Sequence, residues 1–89
     1  MDFKRNSYEF FVRELFRWQY DSPNRFYSDL ISLYRQADPA NRWILENGYP
    51  QLGRAMEDWD NSADNGDALF VNVLGLEKGK DGFTKFNHP

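Results

Sequence analysis

The stretch SPNRFYSDLISLYRQADP, running from Ser22 to Pro39, decides the fold class. Ser22 stands before Pro23, the arrangement of an N-cap followed by proline at the first helical position, where a missing N–H costs no intrahelical bond. At about 100° per residue, Phe26, Tyr27, Leu30, Ile31, Leu33, Tyr34 and Ala37 then share roughly half the wheel. Arg25, Ser28, Asp29, Ser32, Arg35 and Gln36 fill the other half, so the pattern predicts an amphipathic helix. Asp38-Pro39 repeats the cap-plus-proline signal and predicts a short third helix through Trp43, Ile44 and Leu45. Asn47-Gly48 closes that helix, glycine being the residue that tolerates a left-handed conformation after a last turn.

Working outward, a first helix is expected from Asn6 or Ser7, with Asn6-x-x-Glu9 resembling a capping box. Trp18, Phe11, Leu15, Tyr8, Val12 and Phe16 form its broad apolar arc, with Arg13 and Arg17 opposite. Pro50 opens a fourth helix, in which Leu52, Ala55, Met56 and Trp59 are spaced to share one face. Asp60-Asn61-Ser62-Ala63-Asp64-Asn65-Gly66 reads as a loop. Beyond it, Asp67 can cap a fifth helix over residues 68–74. The run Leu69-Phe70-Val71-Asn72-Val73 also fits a strand, but no second strand candidate exists to pair with it, which favours helix. The expectation is an all-α fold, a compact bundle of four to five helices with short loops. Residues 1–76 form the single domain and residues 77–89 a flexible tail, in which Phe83 and Phe86 are either untethered or a small docking element.

The composition narrows the chemistry. The chain has 89 residues, no cysteine and one histidine, His88. That excludes a disulfide scaffold, a Cys-containing zinc site and a Cys-His nucleophile. No glycine-rich phosphate loop, paired metal-binding histidines or activated nucleophile is visible, so no enzyme, cofactor or metal is expected. Aromatic residues make up 18% of a chain whose mean hydropathy is −0.82. A domain this short buries only about 60–65% of its unfolded surface. Some aromatic side chains must therefore lie outside, where contiguous apolar area marks a partner or an oligomer face. Most of them, notably Tyr8, Phe11, Trp18, Phe26, Tyr34, Trp43 and Trp59, are expected in the core.

The apolar stretch after the N-terminus is broken by Glu9, Arg13, Glu14 and Arg17, so neither a signal peptide nor a membrane helix is expected. The cytoplasm is the default compartment.

Charge is concentrated. Residues 1–56 carry a net +1, residues 57–67 a net −5 and residues 68–89 a net +1. The acids are Glu57, Asp58, Asp60, Asp64 and Asp67. Placing Gly66 at the sixth position of a calcium loop puts Ala63 third and Asn72 twelfth, where oxygen ligands and a bidentate Glu are required, so an EF-hand is rejected. Beside an improvised weak cation site, two readings remain: an acidic docking surface for a partner with a basic face, or a solvated helix end and loop. Acids past a helix C-terminus oppose its dipole.

Phe10 lies opposite the apolar arc, between Arg17 and Glu14 with Arg13 nearby, as an interface anchor would. The competing reading is a first helix that is central and buried more widely, or an N-terminal arm around Phe3 that covers Phe10. Arg13 and Arg17 sit three or four residues from Glu9, Glu14 and Asp21, which reads as surface pairing rather than a nucleic-acid stripe. With an isoelectric point near 5.0, the phosphate-binding footprint is missing.

At Ala37-Asp38-Pro39-Ala40-Asn41-Arg42, Gly48-Tyr49-Pro50 and Met56-Glu57-Asp58-Trp59 the chain resembles small helical proteins encoded by phages and prophages, over about residues 10–76. The resemblance implies a protein that acts by binding a host protein, for example as an inhibitor of a defence or transcription system. The leading expectation is thus a small acidic protein–protein interaction module without catalysis. The candidate contact residues are Phe10, Arg13, Arg17, Glu57, Asp58, Asp60, Asp64 and Asp67. A nucleic-acid-associated regulator and a structural homo-oligomer, such as a homodimer, are the alternatives.

Overall fold

The structure, a computed structural model, describes residues 3–21, 25–79 and 82–83. Among these, five helices follow one another: α1 (Tyr8–Tyr20), α2 (Arg25–Gln36), α3 (Pro39–Gly48), α4 (Pro50–Asp60) and α5 (Asp67–Leu74). Two short strands, β1 (Lys78–Gly79) and β2 (Gly82–Phe83), pair antiparallel. The all-α expectation holds, and residues 68–74 are helical. Principal extents of 40 × 28 × 19 Å make the thinnest dimension about two helix diameters.

The local signals act largely as their chemistry requires. Ser7 caps α1 by accepting the Phe10 N–H at 3.2 Å, while Asn6, with φ of 63°, lies outside the cap and accepts the Tyr27 hydroxyl. Asp38 caps α3 by accepting the Asn41 N–H at 2.8 Å, with Pro39 in the first turn. Gly48 departs from expectation. It ends α3 as a helical residue, and the extended Tyr49 links α3 to α4. The proposed Ser22-Pro23 cap lies outside the described residues.

Helix α1 is the centre of the molecule. It packs against α2, α4 and α5, and it buries Phe10, Phe11, Val12, Glu14, Leu15 and Phe16. A helix buried around so much of its circumference has no solvent face of the usual width. Leu30, Ile31 and Tyr34 reach it from α2, Leu52, Ala55 and Met56 from α4, and Phe70 and Leu74 from α5. Edge-to-face rings fill the space between: Phe11 meets Tyr27 and Tyr49 at 6.0 and 6.1 Å, and Phe16 meets Phe70 at 5.3 Å.

The loop from α4 to α5 closes around Trp59. Its indole N–H donates to Gln19 Oε1 at 2.9 Å and to the Asn65 carbonyl at 3.2 Å. Asn65 and Gly66 both take positive φ, 58° and 85°, which turns the chain into α5. Asp64, rather than Asp67, supplies the side-chain acceptor at that helix start, taking the Ala68 N–H at 3.0 Å.

Part of the expected tail is folded onto the bundle. Phe83 packs at 5.3 Å from Phe16, so it is a docking element, and Lys78 is bonded to Asp67. Phe86 lies outside the described residues. Two aromatic expectations fail: Phe26 and Trp43 are exposed rather than core-facing.

Candidate interaction surface

The α1 candidates are drawn inward. Phe10 is 7% exposed, set edge-on against Phe11 at 5.5 Å and Tyr27 at 4.9 Å. Arg13 lies over both the Phe10 and Phe3 rings, at 5.0 and 5.5 Å. The exposed, Arg-flanked anchor expected from the helix wheel is therefore corrected. The wheel identified the side opposite the main arc, but α2 and the N-terminal arm cover that side too. Glu14 is the second correction. Read as a surface pair, it is 3% exposed, with Oε2 at 3.4 Å from both Arg13 Nε and Arg17 Nη1. A buried carboxylate needs such cationic neighbours to avoid a large desolvation cost. The arginines are consequently engaged by α1 itself.

Of the five acids, Asp67 alone is buried; Glu57, Asp58, Asp60 and Asp64 are exposed. Asp58 accepts the Tyr8 hydroxyl at 2.5 Å, and Asp64 holds the start of α5. Asp67 is 8% exposed, accepting the Tyr20 hydroxyl at 2.6 Å and the Lys78 ammonium. These donors hold its carboxyl below the usual carboxylate range although burial pushes it up, and Lys78 is raised by the same bond. Glu57 and Asp60 remain at the surface of α4 with no side-chain bond among the described residues. Three of the acids thus make intramolecular bonds, while four of the five still face solvent.

Helix α3 presents what the sequence reading missed. One side of it faces the bundle. Arg42 donates to the Tyr34 and Arg35 carbonyls and covers the Tyr34 ring at 5.1 Å. Glu46 accepts the Tyr34 hydroxyl, while Leu45 and Tyr49 pack against the core. Burial first, and then the bond to Glu46, pushes the Tyr34 phenol up to about 12. With that side turned inward, the period of 3.6 residues points Ala40, Trp43, Ile44 and Asn47 outward. All four are exposed, Trp43 by 66% and Ile44 by 60%, and α3 buries no residue of its own. No charged side chain belongs to this face. Leu33 and Phe26 are further exposed apolar residues, seven positions apart on one side of α2.

A signal for the face was present but ambiguous. Trp43, Ile44 and Leu45 are consecutive and span about 200° of the wheel, so all three cannot be buried on a half-covered helix. Only the hydrogen bonds of Arg42 and Glu46 show which of them turn inward.

Among the described residues no group of three or more His, Asp or Glu is arranged to hold a metal, and no helix is long and apolar enough to cross a membrane. Comparison with known protein families, curated proteins and solved structures finds no match.

Proposed function

We propose that the protein is a non-catalytic, cytoplasmic interaction module that inserts the outward face of α3 into an apolar groove on a partner protein. The observation that carries this reading is the exposed pair Trp43–Ile44 on a helix that has no fully buried residue. Adjacent large apolar side chains on a convex, uncharged helix face suit the helix-in-groove mode of recognition, with the tryptophan as anchor. Shape favours a concave partner over a second copy. Two convex helices touch along a line, whereas a groove wraps the anchor and removes more apolar area from water. Charge acts in the same direction, because two copies each carrying −3 repel. The resemblance to small phage-encoded proteins directs the search to a host protein, with inhibition of a defence or transcription system as the consequence.

The test places a photo-crosslinking residue at Asn47, on the face, and in a second chain at Asn72, exposed on α5. The expected result is one host protein crosslinked from position 47 and not from position 72, and lost when Trp43→Glu is added to the position-47 chain. The same products from both positions, or a crosslink that survives Trp43→Glu, would contradict the proposal. A crosslinked dimer of the chain itself would assign the face to a second copy instead.

A further inference from the structure

The end of α1, the start of α5 and strands β1 and β2 border an open cavity of about 270 Å³. Its apolar walls are the rings of Phe16, Tyr20 and Phe83, mutually 5.3 to 5.5 Å apart. Among the described residues its charged lining is Asp21, Asp67 and Lys78.

Asp67 and Lys78 neutralise one another, and the Tyr20 hydroxyl is donated to Asp67. The Asp21 carboxylate is different: among the described residues no hydrogen bond or ion pair engages it, while its backbone N–H donates to the Arg17 carbonyl. The described lining therefore has a net charge of about −1, with Asp21 as the acid that no cation in it neutralises.

An aromatic ring presents negative charge density on its face, so rings and a carboxylate together attract a cation and repel an anion. The volume lies just below the range of roughly 300–1,000 Å³ common for drug-sized ligands, which limits the occupant to a fragment or a single side chain. Concave form, apolar walls and a few convergent polar groups are the ordinary attributes of a ligand site. We infer that this cavity binds an organic ammonium ion on a short apolar stem, with Asp21 as counter-ion and Tyr20 and Phe83 as aromatic walls. The site is separate from the α3 face and does not depend on the function proposed for it.

The ammonium can belong to a free amine or to a lysine side chain, and the experiment has an arm for each. Benzylamine and Nα-acetyl-lysine methylamide are titrated into the full chain at neutral pH and constant ionic strength, followed by amide and aromatic NMR shifts. Benzyl alcohol and the Nζ-acetylated lysine compound are the neutral counterparts. The expected shifts concentrate on Tyr20, Gly82 and Phe83, with the charged compound binding about tenfold more tightly than its neutral counterpart. Asp21→Asn is expected to weaken binding several-fold while leaving the spectrum otherwise superposable. Response to benzylamine alone assigns the site to a free amine, and response to the lysine compound alone assigns it to a side chain. Equal affinity for charged and neutral compounds, unchanged affinity in Asp21→Asn, or no localised shift with either amine would overturn the inference.

Discussion

A methyl group added to Gly66 would collide with Cδ1 of Trp59, on a backbone whose φ is 85°. Gly75 also has positive φ, 70°, but nothing lies within 4 Å of its added methyl. Both substitutions incur the left-handed penalty of about 1–2 kcal/mol, while Gly66→Ala must also displace the indole that joins α1, α4 and the loop. Urea unfolding should therefore show Gly66→Ala to be the more destabilising of the two by more than about 1 kcal/mol. Equal losses would mean that the Trp59 contact is unimportant. Two tyrosines make a second residue-scale test. Burial, aided by bonds to Asp58 and Glu46, raises Tyr8 and Tyr34 from 10.0 to about 12. A pKa raised by folding stabilises the protein fully below the unfolded value and loses that effect as pH rises through the folded one. Stability should accordingly fall between about pH 10 and pH 12, and Tyr8→Phe with Tyr34→Phe should flatten that alkaline fall. An unchanged alkaline limb in the double variant would assign the effect elsewhere.

At the scale of elements, what the sequence revealed and what it hid differ by type of interaction. Helix starts were legible because a cap is local: Ser7 and Asp38 each bond an N–H three residues on. The burial of Phe10 and Glu14 was not, since it depends on how many neighbours surround α1, and a wheel contains no neighbours. The same limit placed Trp43 and Phe26 in the core. These assignments predict opposite mutational behaviour for α1 and α3. Phe10→Ala should cost about 3–5 kcal/mol, as a large-to-small change in a packed core. Trp43→Ala should stay within about 0.5 kcal/mol, as a surface change away from caps and cavities. For α5, removing the Asp64 acceptor with Asp64→Ala should cost about 1 kcal/mol, read from denaturation midpoints. A silent change would show that the Ala68 N–H is satisfied by water.

For the whole molecule, the concentration of acids was correctly located in the sequence and its meaning was not legible there. Asp58, Asp64 and Asp67 meet Tyr8, Ala68, Tyr20 and Lys78, partners that for Asp58 and for the Tyr20 contact of Asp67 lie far away in the chain. Tertiary contacts give Asp58 and Asp67 bonds at the α1–α4 and α1–α5 contacts and to β1, while Glu57, Asp58, Asp60 and Asp64 stay exposed. The aromatic excess resolves into a ring-filled core around α1 and, among the described residues, three exposed rings, Tyr20, Phe26 and Trp43. The central claim, that Trp43 and Ile44 serve contact rather than folding, is tested most directly by the double variant Trp43→Ala/Ile44→Ala. It would be compared with the parent chain in urea unfolding and in capture of the partner crosslinked from position 47. The prediction is a stability within about 1 kcal/mol of the parent together with loss of capture. A loss of several kcal/mol, or undiminished capture by a folded variant, would contradict it.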